Sequence, residues 1–296
     1  MPEINEIIGG YKLRTLIHQA QYTKVYEVVE PRSNRHFAMK LIDIPSDHKE
    51  FEPQKQMLLN EAEIGKKMKH DNVVNISAVG KTSKVPYFVM EYFPAGSIRV
   101  RLMSKEPKEK QFLVDKGKDI FRQVATGLAY MNASGYVHCD IKPDNILVNS
   151  LGQAKIIDFA ISKPVKKGFF AKLFHRAGKP QGTPSYMSPE QINDELLDGR
   201  ADIYCYGAML YEIVCGRPPF RGANTNELLK KHLVEKPPPP QSWNPELTDD
   251  FSNYVLKLLA KKKDERPRNF HEILMALKDL RVYKVTGGKG KAPAAG

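Results

Sequence analysis

The feature that most constrains this chain is a change of hydrophobic period about a third of the way along it. Residues 11 to 43 alternate apolar and polar, in Tyr11-Lys12-Leu13, then Val25-Tyr26-Glu27-Val28-Val29, then His36-Phe37-Ala38-Met39-Lys40-Leu41-Ile42. Pro31 and Asn34 punctuate the last two runs, so the pattern predicts consecutive antiparallel strands. From Gln54 to Lys69 the spacing of Met57, Leu58, Ala62, Ile64 and Met68 becomes helical. Val73 to Val79 and Pro86 to Tyr92 return to strand character, and Pro94-Ala95-Gly96 ends the run. Beyond that point Phe112 to Ser134, closed by Gly135, then Ile203 to Val214 and Phe251 to Ala260 carry apolar residues at helical spacing. Strands first and helices after predict an α+β chain in two parts, 1–93 and 94–283. A tail rich in Gly, Lys, Ala and Pro follows over 284–296.

The size agrees with two parts, since 296 residues is about twice the ~150 that one domain usually takes. With 41% apolar and 27% charged residues there is enough material for a core, which excludes wholesale disorder and collagen-like readings. Cys139, Cys205 and Cys215, an odd number without C-x-x-C spacing, exclude a disulfide framework and a cysteine-rich zinc site and suit a reducing compartment. No run approaches the length of a membrane helix and the start carries no leader pattern, so a cytoplasmic location is expected.

A net charge of +12 would ordinarily raise nucleic acid or an anionic membrane as partner. Its distribution redirects that reading. Six basic residues and no acid lie between Phe159 and Pro189 (Lys163, Lys166, Lys167, Lys172, Arg176, Lys179), and four more follow from Arg281 to the end. The rest of the chain is close to neutral, and no nucleic-acid-binding module is visible. The segment Lys163–Lys179 is instead expected to meet an acidic partner or an anionic surface, with Phe169, Phe170, Leu173 and Phe174 as the apolar half of the contact.

The stretch that carries chemistry is His138-Cys139-Asp140-Ile141-Lys142-Pro143-Asp144-Asn145-Ile146-Leu147, followed by Asp158-Phe159-Ala160. Phosphoryl transfer needs metal ions bridging the phosphates, carboxylate and amide oxygens to hold them, and a base facing the attacking hydroxyl. Asp140, Asn145 and Asp158 supply such groups. The stretch resembles the protein-kinase signature H-R-D-x-K-x-x-N followed by D-F-G, of the eukaryotic-like Ser/Thr type.

The resemblance implies a bilobal kinase fold, with a small antiparallel-sheet lobe holding one helix and a larger helical lobe. It implies ATP with Mg2+ or Mn2+ as cofactors and a protein Ser/Thr hydroxyl as acceptor. Asp140 then matches the base, Lys142 its phosphate-neutralising companion, and Asn145 and Asp158 the metal ligands. Lys40 matches the strand lysine of the α- and β-phosphates, with Glu61 rather than Glu63 as its helix partner. Val25, Ala38 and Leu147 match the residues around adenine, Met90 the gatekeeper, and Glu91 to Phe93 the hinge. Thr183 to Glu190 resembles the peptide-docking segment. Asp202 is expected to hold the catalytic loop's backbone, and Glu190 to pair with Arg266.

The chain also departs from the family. Aligning on Val25-Tyr26 puts His18, Ala20 and Thr23 where the phosphate-covering loop has three glycines, which predicts a weaker grip on phosphate. Gly65 stands where the family has a bulky residue linking the helix to Ile76, His138 and Phe159. A gap, an incompletely formed Lys40–Glu61 pair and an activating partner or dimer are expected from that. Cys139 replaces the arginine before the base, making this a non-RD variant not switched by activation-loop phosphorylation, and Ala160 replaces a glycine. The alternative reading is a pseudokinase, a near-inactive nucleotide-binding scaffold that acts through protein contacts.

Overall fold

The computed structural model describes residues 3–81, 86–165 and 181–284. The segment 166–180, with five of the six basic residues and all four apolar ones discussed above, and the tail from 285 onward lie outside them. The chain divides into two compact units, 1–94 with 157–161, and 95–156 with 162–296. The excursion at 157–161 is the one substantial difference from a single boundary near Pro94. Its cause is visible in unit 1, where the Asn60 side chain donates to the Ala160 carbonyl at 3.1 Å and Asp158 lies 3.7 Å from Lys40 Nζ.

Unit 1 is built on an antiparallel sheet of six strands in the order β1-β2-β3-β4-β6-β5. These are β1 (Ile7–Ile8), β2 (Tyr11–Gln19), β3 (Thr23–Glu30), β4 (Arg35–Ile42), β5 (Ile76–Lys81) and β6 (Pro86–Glu91). Period-2 alternation divides the strands' side chains between two faces. Leu13, Tyr26, Val28, Met39, Leu41, Tyr87 and Val89 form a buried cluster. The other face is fixed by register, because Val25 pairs with Lys40, Ala38 with Met90, and Lys40 with Phe88. Val25, Ala38, Lys40 and Met90 therefore look the same way. Helix α1 (Phe51–Lys67) packs on that side, with Leu58, Glu61, Ala62, Ile64 and Gly65 buried.

Unit 2 is mainly helical. It contains α2 (Ile98–Met103), α3 (Pro107–Ala133), α4 (Pro189–Ile192), α5 (Gly199–Cys215), α6 (Thr225–Val234), α7 (Asp249–Leu258) and α8 (Phe270–Asp279). Helix α5 is apolar nearly all round, with Ala201 to Val214 entirely buried, so it is the central strut rather than a surface helix. Around it the Phe121 ring stacks on Phe251, and Tyr206 meets Phe270 edge-on. Short strands β7 (Gly96–Ser97), β9 (Ile146–Val148) and β10 (Ala154–Ile156) form a three-stranded sheet, and β8 (Tyr136–Val137) pairs with β11 (Lys163–Pro164). No helix among the described residues is long and apolar enough to cross a membrane.

Gly65 corrects an expectation. There is no gap beside it, because Ile76 fills the space: a Cβ added at Gly65 would sit 2.4 Å from Ile76 Cδ1, 2.8 Å from Cγ1 and 3.2 Å from Phe159 Cδ2. Ile76 is 1% exposed and β-branched, so it has little freedom to withdraw. Gly65→Leu is accordingly expected to destabilise the chain by about 1–3 kcal/mol as an overpacked core, and to lower activity. The loss should shrink in Gly65→Leu/Ile76→Ala, and urea unfolding of the two variants is the measurement. A Gly65→Leu protein as stable as wild type and more active would restore the gap.

Candidate active site

In unit 1 the ion pair that the gap argument expected to be incomplete is formed. Lys40 Nζ donates to Glu61 Oε2 at 2.6 Å, and Asp158 Oδ1 lies 3.7 Å from the same ammonium. The sheet holds Lys40 by its β3 and β6 neighbours, and α1 delivers Glu61 from its buried face. Glu63, two residues on, points outward to Lys67. Burial on its own would lower the Lys40 ammonium, but Asp158 and Glu61 together outweigh it and hold its pKa up. Burial pushes the Glu61 carboxyl upward, Lys40 pulls it back, and the second carboxylate at Asp158 adds to the rise. Two carboxylates thus share one ammonium, and a further cation beside Asp158 is electrostatically welcome.

In unit 2 the residues of the loop expected to be catalytic converge on Asp140. Thr183 donates to its Oδ1 twice, from the backbone N–H at 3.0 Å and from the hydroxyl at 2.8 Å. Lys142 Nζ lies 2.7 Å from Asp140 Oδ2 and donates to the Thr183 hydroxyl at 2.7 Å. Asn145 Nδ2 donates to the Asp140 carbonyl at 2.8 Å and to Oδ2 at 3.1 Å. That orientation leaves the amide oxygen on the opposite limb of Asn145. The Asn145 amide oxygen and, in unit 1, the Asp158 carboxylate are each hard oxygen donors of the kind Mg2+ takes. Among the described residues no three His, Cys, Asp or Glu side chains form a metal cage by themselves.

The loop's backbone is clamped from behind. Asp202, on the first turn of α5, accepts from His138 N–H and Cys139 N–H, each at 2.9 Å, and from Asn132 Nδ2 at 3.0 Å. Burial pushes its carboxyl up while these donors and His138 pull it down. Cys139 needs the clamp, since its φ of 71° is left-handed and costs of order 1–3 kcal/mol outside glycine. Its thiol is buried and its pKa is driven well up by desolvation, then by Asp202, so it packs and does not react. Asp158 is left-handed too, at φ 69°.

Glu91 N–H donates to the Asn75 carbonyl and its carboxylate accepts from Asn75 N–H, both at 2.9 Å, which ties the strand end that precedes Phe93. Val25, Ala38 and Met90 share the Lys40 face of unit 1, whereas Leu147 is the middle residue of β9 in unit 2. Glu190 and Arg266 form a buried two-pronged pair at 2.7 and 3.0 Å.

Residues absent from that reading also matter. Gln191 Nε2 donates to the Cys139 carbonyl at 2.7 Å, and its own position is set by a capping box with Ser188. That signal, S-x-x-Q, was readable. Arg99 and Glu212 form a further cluster with Tyr186 of the segment Thr183 to Glu190, and no local sequence signal reports that contact.

Comparison with known proteins agrees with this geometry. A protein kinase domain matches residues 11–276. The chain is 29% identical over its whole length to a Streptomyces coelicolor protein named "Probable serine/threonine-protein kinase", of which it covers 44%. It is 29% identical over 89% of its length to the DNA damage-responsive serine/threonine-protein kinase RqkA of Deinococcus radiodurans, and 28% identical over 86% to the serine/threonine-protein kinase PrkC of Bacillus subtilis. It covers 38% of each of these two, so the chain spans less than half the length of these three relatives. With the domain match covering most of the chain and the polar residues of its signature gathered around Asp140 and Lys40, this chain is a member of the protein kinase family.

Proposed function

We propose that this domain transfers the γ-phosphoryl group of ATP to serine or threonine hydroxyls of protein substrates. The observation that carries the reading is the Asp140–Lys142–Thr183–Asn145 cluster, a carboxylate oriented from both sides and placed next to the docking segment. Asp140 would accept the proton of the incoming hydroxyl, and Lys142 would meet negative charge on the transferring group. Lys40, positioned by Glu61, would hold phosphate oxygens. The Asp158 carboxylate of unit 1 and the Asn145 amide oxygen of unit 2 are each donors of the kind Mg2+ or Mn2+ takes, and such an ion would supply neutralisation of charge on the phosphates. The pseudokinase alternative draws no support from this site, where each polar group the reaction asks for is present. Free, mostly buried thiols at Cys139, Cys205 and Cys215 support a reducing, cytoplasmic setting. The test is transfer of labelled phosphate from ATP to generic protein acceptors with Mg2+ or Mn2+, followed by identification of the phosphorylated residue. Phosphotyrosine alone, or no transfer with either metal, refutes it.

Regulation is read from two hydroxyls. Ser162 is buried and donates to the His138 carbonyl, and the Thr183 hydroxyl is engaged by Asp140 and Lys142. Neither presents a free hydroxyl for modification, and Cys139 offers no cation to receive a phosphate. These points support control without activation-loop phosphorylation. With the pair at Lys40–Glu61 formed and Gly65 filled, the reason for expecting an activating partner or dimer falls away.

The lid leads to a second measurement. β2 and β3 stay paired up to His18–Val25 and Gln19–Lys24, and Ala20 N–H donates to the Thr23 carbonyl at 2.9 Å. The tip is pinned by Asp43 N–H to the Tyr22 carbonyl and by the Lys24–Asp43 ion pair, both at 2.8 Å. His18, Ala20 and Thr23 all keep negative φ, so the hairpin has no use for glycine. One amide that a glycine loop could turn to phosphate is spent inside the turn. Glycine at all three positions should tighten ATP by about tenfold, the worth of one charge-assisted hydrogen bond. Adenosine binding should change far less, and calorimetric titration with both ligands decides.

A further inference from the structure

Arg99 is the second residue of α2, and its guanidinium is committed to acidic and hydroxyl partners. Nη1 donates to Glu212 Oε1 at 2.7 Å and Nη2 to Glu212 Oε2 at 3.2 Å, a two-pronged grip. Nη2 also donates to the Tyr186 hydroxyl at 2.5 Å, and Nε to Asp144 Oδ2 at 3.2 Å. Tyr186 in turn donates to Glu212.

The location gives the cluster its meaning. Tyr186 lies three residues after Thr183, which binds the base, and Asp144 four residues after Asp140. On the kinase reading, a polypeptide whose hydroxyl reaches Asp140 would pass along this segment. The Glu212 side chain is 9% exposed, but Arg99 is 25% and Asp144 44% exposed, so the cluster is open to solvent at Arg99 and Asp144. A two-carboxylate site with one desolvated wall would bind a guanidinium strongly. Here the chain supplies that guanidinium itself.

We propose that Arg99 is a specificity-determining residue that fills, from within the chain, a carboxylate site for a basic side chain flanking the acceptor, so that substrates are accepted without regard to such a side chain. The inference rests on the kinase reading above and adds to it what the domain does not select. It also predicts what appears when the plug is removed. With Arg99 gone, Glu212 and Asp144 become an unfilled anionic pocket, and an arginine of the substrate is the group that fits it.

The test uses the full 296-residue chain and peptides with one serine or threonine in a neutral background, an arginine being moved through every flanking position. Wild type should vary by less than about twofold in kcat/KM. Arg99→Ala should gain about tenfold or more for arginine at one or two neighbouring positions, mainly through KM, and adding Glu212→Gln should remove the gain. A folded Arg99→Ala with a flat profile, or a wild type that already favours arginine tenfold, overturns the proposal. Should Arg99→Ala not fold, Arg99→Gln, which removes the charge but keeps a donor, is read the same way. A second arm needs no activity: methylguanidinium should raise the melting temperature of Arg99→Ala more than that of wild type, and equal shifts overturn the inference. If neither protein transfers phosphate, the kinase reading fails and the methylguanidinium arm alone decides.

Discussion

Asp140→Asn is expected to lower phosphoryl transfer by about 10²–10⁴-fold, the usual worth of a positioned general base, while the protein stays folded with a lowered melting temperature. The substitution is close to isosteric, and an asparagine Oδ1 can still accept from the Thr183 N–H and hydroxyl. On the other limb, however, an NH2 would face Lys142 Nζ and Asn145 Nδ2, both donors. The orientation of the loop survives and the basicity does not. Asp158→Ala should be at least as severe, because it removes the carboxylate that balances Lys40 and the proposed metal ligand together; about 10³-fold is the scale for losing one preorganised charge. Initial rates at saturating ATP, with thermal melts run alongside, separate catalytic loss from unfolding. A variant retaining more than about a tenth of wild-type rate would remove Asp140 from the role of base.

How much of this was legible in the sequence depends on how far apart the interacting residues lie. The sheet of unit 1 was readable from alternation alone, and register then carried Val25, Ala38, Lys40 and Met90 to one face without further information. The long helix was recognised from Phe112, although it starts at Pro107, where a proline at the first turn was the available signal. Helices α6 and α8 were missed despite caps of the form N-x-x-E, in which Asn224 accepts from Glu227 N–H and Asn269 from Glu272 N–H. Strands of two residues, such as β7 and β11, are too short to have a period.

The catalytic loop was legible because its residues are local in sequence. The Arg99 cluster was not, since its contacts span 45, 87 and 113 positions and no periodicity reports them. Gly65 failed for a different reason. A sequence shows which side chain is missing but not which neighbour grows into the space, and Ile76 does so from another element.

Arg266→Ala is expected to cost about 3–5 kcal/mol, the penalty for leaving a buried ion without its partner, and to lower the melting temperature by roughly 10 °C. The Arg266 side chain is 0% exposed, and each of its five N–H groups has an acceptor. Nη1 and Nη2 grip Glu190, Nη1 also reaches the Arg200 carbonyl at 2.7 Å, Nη2 the Lys261 carbonyl at 3.0 Å, and Nε the Ala260 carbonyl at 2.8 Å. One side chain therefore joins α4, the first turn of α5 and the turn after α7. Arg266→Lys should lose most of the same stability, because a single ammonium cannot serve four separate acceptor groups from one point. Buried ion pairs can often be exchanged for apolar residues at little cost. Here that exchange should fail, because Glu190→Met/Arg266→Met relieves the unpaired carboxylate but takes the guanidinium donor from the Ala260 and Lys261 carbonyls, which lie outside the helices, each worth about 1–3 kcal/mol when buried without a donor. Urea unfolding of the single and double variants decides: a double variant within about 1 kcal/mol of wild type would show that the pair, and not the carbonyl network around it, is what Arg266 provides.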